Sequence, residues 1–70
     1  MKHKHILIIG RPSDGENDCL TLTGKTEKQA IDTFKKMLRE EYDFKAGERN
    51  IYLEAVIASE SPISVLQYHQ

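Results

Sequence analysis

The chain has 70 residues, with 10 Lys and Arg against 11 Asp and Glu, and a net charge of -1. This near-zero balance argues against a dedicated nucleic-acid-binding protein, which usually carries a basic excess. A hydrophobic fraction of 39% argues against a disordered acidic chain. The length predicts a single small domain spanning residues 1–70.

A domain of this size is marginally stable alone and often depends on a disulfide, a metal ion or a partner subunit. The single cysteine, Cys19, cannot form an internal disulfide. No Cys or His cluster has the spacing of a zinc site, so we expect no metal and no cofactor. Tight packing or self-association is therefore expected to supply the support.

Nothing in the sequence predicts a membrane protein. The longest uninterrupted apolar run is Ile6–Ile9, whereas a transmembrane helix needs roughly 20 residues. The basic start, residues 1–5, is followed by too short an apolar stretch for a signal peptide. One unpaired cysteine is typical of a reducing compartment, so a cytoplasmic location is expected.

The first elements form a predicted hairpin. His5–Ile9 is β-branched and continuously apolar, as in a strand buried on both faces, and Gly10 is expected to end it. A loop of turn-forming residues follows, in which Gly15 is expected to supply a positive φ after Asp14. The next segment, 19–23, alternates with period two, placing Leu20 and Leu22 on one face.

The helix is the clearest element and is predicted over Glu27–Tyr42. Thr26 and Gln29 have the spacing of a capping box. An apolar stripe with spacings of three and four follows the cap. It comprises Ala30, Ile31, Phe34, Met37, Leu38 and Tyr42.

A third strand is predicted over Ile51–Ala58, with Leu53 and Ile57 on one face and Tyr52 and Val56 on the other. The tail 63–69 has two interpretations. Its β-branched residues favour a fourth strand, whereas Ser-Pro at 61–62 is also a plausible helix start.

These elements predict an α+β two-layer sandwich of the form β-β-α-β(-β). The sheet is mainly antiparallel in the order 2-1-3, and one amphipathic helix covers one face. The helix is expected to pack on Leu20, Leu22, Leu53 and Ile57. The second face would hold one parity of strand one, either His5, Leu7 and Ile9 or Ile6 and Ile8.

An uncovered apolar sheet face usually marks an interface. The candidate interaction residues on that face are Leu7, Ile9, Tyr52 and Val56. An acidic loop adds a possible contact for a basic partner at Asp14, Glu16 and Asp18. The alternative is that the C-terminal segment covers the face within one monomer.

Other motifs fail as sites of chemistry. Gly24-Lys25-Thr26 looks like the end of a phosphate-binding loop, but the required earlier glycine is Cys19. His3 and His5 could hold a metal only weakly, and a solvated N-terminus explains them better. No nucleophile has an activating sequence context, so no catalytic residue is assigned and no enzyme is expected.

The sequence thus predicts a small non-enzymatic protein-interaction module that forms a homodimer and acts as an accessory or inhibitor protein of bacterial or phage type. Its expected partners are a second copy and an unidentified protein, and nucleic acid is unlikely. The alternative is an antitoxin-like or nucleic-acid-associated regulatory module, because residues 23–31 resemble the strand-to-helix turn of HicB-type antitoxins. That resemblance covers nine residues and assigns no residue a role.

Overall fold

The computed structural model describes residues 1–64. Its elements follow in the order β1 (His5–Pro12), β2 (Asp18–Leu22), α1 (Glu27–Glu41) and β3 (Ile51–Ser59). Strand β1 pairs antiparallel with both neighbours, giving a three-stranded sheet in the order β2-β1-β3. This confirms the predicted α+β class and strand order. In the predicted fourth element, 63–64 have no regular secondary structure and 65–69 lie outside the described residues.

Helix α1 begins and ends through local hydrogen bonds. The Thr26 hydroxyl accepts from the Gln29 N–H at 3.1 Å, and the Gln29 side chain accepts from the Thr26 N–H at 3.0 Å, which confirms the predicted capping box. At the other end, the Phe44 N–H donates to the Arg39 carbonyl at 3.0 Å while Asp43 has a φ of 54°. This is the Schellman arrangement, and it turns the chain back at the C-terminus of the helix.

The core lies between α1 and one face of the sheet. Ile6 and Ile8 are fully buried there against Ala30, Phe34 and Leu38 of the helix. Leu20 and Leu22 pack against the same cluster from β2, as the period-two pattern predicts. The even-numbered residues of β1 therefore face the helix, which decides between the two parities that the sequence left open.

Strand β1 continues through Gly10 to Pro12, so the expectation that Gly10 ends it is wrong. A Cβ at residue 10 would lie 2.5 Å from the Tyr52 carbonyl oxygen and 3.0 Å from the Phe34 ring. Gly10 thus allows β3 and the helix to approach the strand closely. Pro12 lies beyond the last β1–β2 pair, Gly10 with Asp18, where β2 offers no partner for a backbone N–H.

A β-bulge in β3 changes which side chains reach the core. Ile9 pairs with Ala55 and Gly10 pairs with Leu53, so Glu54 is an extra residue with no partner in β1. Because strand faces alternate with every residue, one extra residue exchanges the faces of everything that follows. Val56 therefore packs against the helix-side core, and the predicted placement of Ile57 there is wrong.

The loop between β1 and β2 also differs from its prediction. The Gly15 N–H donates to the Pro12 carbonyl at 3.0 Å, and the positive φ, 63°, belongs to Asp14. Aspartate tolerates this left-handed conformation better than most residues. Gly15 is needed for space instead, since a Cβ there would lie 2.6 Å from the Pro12 ring.

Candidate interaction surface

The sheet face opposite the helix carries Leu7 and Ile9, as the interaction prediction requires. Leu7 is fully buried, however, and Ile9 is half-buried. Leu7 also lies outside the cluster around Phe34, so the helix-side core does not account for its burial. The expectation that Leu7 is exposed is therefore wrong, and this face is closed at its centre.

The exposed part of this face lies around Tyr52, which is 45% exposed. Tyr52 pairs with Arg11 across the β1–β3 ladder, and the Arg11 guanidinium lies 5.1 Å from the Tyr52 ring centroid. The same guanidinium lies 3.8 Å from the Glu54 carboxylate. This cation–π contact with Arg11 holds the partly exposed Tyr52 ring at the surface.

Val56, the fourth apolar candidate, faces the helix and not the proposed surface. The sequence placed it with Tyr52 because strict alternation puts residues 52 and 56 on one face. Glu54 as the extra residue of the bulge breaks that relation. Val56 is thus a partly buried residue that packs against the helix-side core, and its predicted place on the face opposite the helix is wrong.

The outer edge of β3 is the surface that the sequence analysis missed. Met1, Tyr52 and Leu53 are the exposed large hydrophobic side chains of the described chain, and the last two are adjacent in β3. Leu53 was expected in the core but is 37% exposed. Among residues 1–64, β1 is the strand paired with β3, which leaves the outer backbone edge of β3 open.

The three acidic candidates occupy different settings. Asp14 and Glu16 are exposed in the β1–β2 loop. Asp18 begins β2, and its carboxylate accepts from the Cys19 N–H at 3.2 Å. A hydrogen bond between Asp18 and Glu41, together with partial desolvation and the Asp18 charge, raises the pKa of Glu41 above 4.5. Asp14 and Glu16 are thus the more exposed of the three candidates.

Other parts of the sequence examined for chemistry are used structurally. The Gly24 N–H donates to the His3 carbonyl at 2.9 Å, so it is not available to cradle a phosphate. His3 Nε2 lies 3.8 Å from a Glu27 carboxylate oxygen. Residues 1–64 contain no group of three or more His, Cys, Asp or Glu side chains placed to hold a metal ion.

Within residues 1–64, helix α1 has neither the length nor the apolar character needed to span a membrane.

The interaction roles of Leu7, Ile9, Tyr52, Asp14, Glu16 and Asp18 stay predictions. No protein-family model, no curated protein and no solved structure matches this chain.

Proposed function

We propose that this chain is a non-enzymatic protein-interaction module that forms a homodimer through the outer edge of β3. The observation that supports it is the pair of adjacent exposed apolar side chains, Tyr52 and Leu53, on a nine-residue edge strand. Open strand edges pair readily with other chains, and proteins usually protect them. Pairing two such edges would join two three-stranded sheets into one.

The strand is compatible with pairing to a second copy of itself. In a two-fold antiparallel pair centred on Val56, within the regular stretch that follows the bulge, Val56 lies opposite its own copy and each Ala55 lies opposite Ile57 of the other chain. No like charges then oppose one another in the cross-strand pairs. A net charge of -1 per chain adds little long-range repulsion.

The chain would also bind an unidentified protein partner, for which it would act as an accessory or inhibitor protein of bacterial or phage type. Asp14 and Glu16 support this part, because both are exposed at the loop end of the sheet. Their charges would raise the association rate of a basic partner more than its affinity.

Light scattering coupled to size-exclusion chromatography tests the dimer. We expect the wild-type chain to reach twice the monomer mass as its concentration rises, and Leu53→Lys to stay monomeric because a lysine on the edge opposes pairing. Thr21→Lys is the matched control, since Thr21 is exposed on the opposite edge strand, β2. Circular dichroism verifies that both variants are folded.

Two results would count against this proposal. A wild-type chain that is monomeric at every concentration contradicts the homodimer. A dimer lost in Thr21→Lys but kept in Leu53→Lys contradicts the assignment to β3 and moves the interface to the β2 side.

A further inference from the structure

A cleft of about 400 Å³ separates the C-terminal half of α1 from the beginning of β3. Three basic side chains line it: Lys35 and Arg39 from the helix, and Arg49 from the loop before β3. Asn50, Ile51 and Tyr52 complete the lining, which contains no carboxylate. The charge balance of the whole chain hides this local excess of positive charge.

The proximity of the two cations on the helix is electrostatically unfavourable. Lys35 and Arg39 are four residues apart, so their side chains are neighbours on one helix face and repel each other. Both are half-buried. None of the ion pairs within residues 1–64 involves Lys35, Arg39 or Arg49. An anion in the cleft would relieve this repulsion.

Arg49 is held in place by its surroundings. Its guanidinium donates to the Ser13 carbonyl and lies 5.5 Å from the Tyr42 ring centroid and 5.3 Å from that of Phe44. The helix-ending turn at Asp43 directs the chain back so that Phe44 can take this position. Stacking and a fixed hydrogen bond orient the planar guanidinium before any ligand arrives.

The turn that leads to Arg49 is itself well defined. The Glu48 N–H donates to the Lys45 carbonyl at 3.0 Å, and Gly47 has a φ of 88°, a value that favours glycine at this turn position. The Glu48 carboxylate accepts from the Lys45 N–H, which uses this acidic group locally. The neighbouring glutamate is thus engaged within its own turn.

We propose that this cleft binds a small molecule carrying adjacent phosphate groups. Arginine offers a planar set of donors that matches phosphate oxygens, and lysine adds a compact charge. Three cations exceed what one phosphate neutralises, which favours a diphosphate. A small ligand is favoured over a nucleic acid because the three cations form one local cluster and the chain as a whole has a net charge of -1.

The test is a titration with inorganic pyrophosphate at low salt, followed by isothermal calorimetry and by amide chemical shifts. We expect saturable binding, with the largest shifts at the amides around Lys35, Arg39 and Arg49. Lys35→Gln and Arg39→Gln should each weaken binding about tenfold, the order expected for losing one charge-assisted hydrogen bond. Lys36→Gln is the matched control, because Lys36 is the exposed neighbour outside the cleft.

Each competing outcome overturns the proposal. Absence of saturable binding, or equal weakening by Lys36→Gln, shows that no site exists at the cleft. Equal affinity for succinate shows a general anion surface and not phosphate recognition. Tighter binding of a single-stranded oligonucleotide, with shifts spread along the helix, assigns the surface to nucleic acid. All the substituted residues lie on α1, so these results are read separately from dimerisation through β3.

Discussion

The two faces of the central strand β1 both carry large apolar side chains but are completed in different ways. On the face formed by the even-numbered residues, Ile6 and Ile8 are buried against Phe34 and Leu38 of the helix. On the face formed by the odd-numbered residues, Leu7 is fully buried and Ile9 is only half-buried. The first face has one continuous core, whereas the second changes from closed to exposed along the strand.

This difference shows that apolar pattern alone does not locate an interface. The exposed apolar side chains of the sheet lie beside the bulge, at Tyr52 and Leu53, and not at the centre of the face opposite the helix. The extra residue Glu54 separates the two regions of β3. Three sets of substitutions test this difference between the two faces.

The largest effect is expected from the aromatic ring on the closed face. Phe34 is fully buried, so Phe34→Ala should lower the free energy of unfolding by about 3–5 kcal/mol. Tyr52→Ala, on the other face, should cost about 1 kcal/mol or less, because the ring is already 45% exposed. Urea unfolding followed by circular dichroism measures both. If Phe34→Ala does not fold, Phe34→Leu serves in its place, and equal costs on the two faces would contradict the comparison.

The next effect concerns the glycine at the bulge. A Cβ at residue 10 meets the Tyr52 carbonyl oxygen, so Gly10→Ala should destabilise the fold by about 1–3 kcal/mol. Gly24→Ala is the matched control: Gly24 has a φ of 66° but no atom within 4 Å of a built Cβ. Its cost should be backbone strain alone, about 1 kcal/mol. A Gly10→Ala variant as stable as wild type in urea would show that the strands do not approach this closely.

The smallest effect is expected at the rim of the helix-covered face, where Glu41 meets Asp18. Contact with Asp18 and partial desolvation raise the pKa of Glu41 above 4.5. A raised pKa means that the folded chain holds this proton more tightly than the unfolded chain, so its contribution favours folding below pH 4.5 and is lost as pH rises through the folded pKa. Glu41→Gln should therefore raise the melting temperature at pH 7 more than at pH 4. The matched control is Glu40→Gln, and an equal response of both variants would contradict the pairing of Glu41 with Asp18.

Much of the fold was predictable from local pattern. The capping residues Thr26 and Gln29 and the stripe around Phe34 defined the helix to within one residue of its end. The antiparallel hairpin and the position of β1 in the middle followed from its unbroken apolar run and from the single helical crossover. The cap and the stripe depend on neighbours in sequence, and the strand order then follows from a general rule of chain connection.

The candidate sites were less predictable, for two physical reasons. Alternation has a period of two, so one extra residue at Glu54 moves Val56 into the core and Ile57 out of it, and no local signal marks that residue as extra. The cationic cleft brings Lys35 and Arg39 of the helix together with Arg49 of the loop before β3. Spacing along the chain does not reveal such a grouping, because it depends on tertiary contacts.

Hydrophobic periodicity and capping act over a few residues, so the identity and order of the elements can be read from the chain alone. Packing between distant segments selects which face of β1 meets the helix, where the bulge falls and which charges share a cleft. At the bulge, for example, Gly10, Phe34 and Tyr52 approach one another closely although they come from three separate segments of the chain. Only the packed fold brings such segments together.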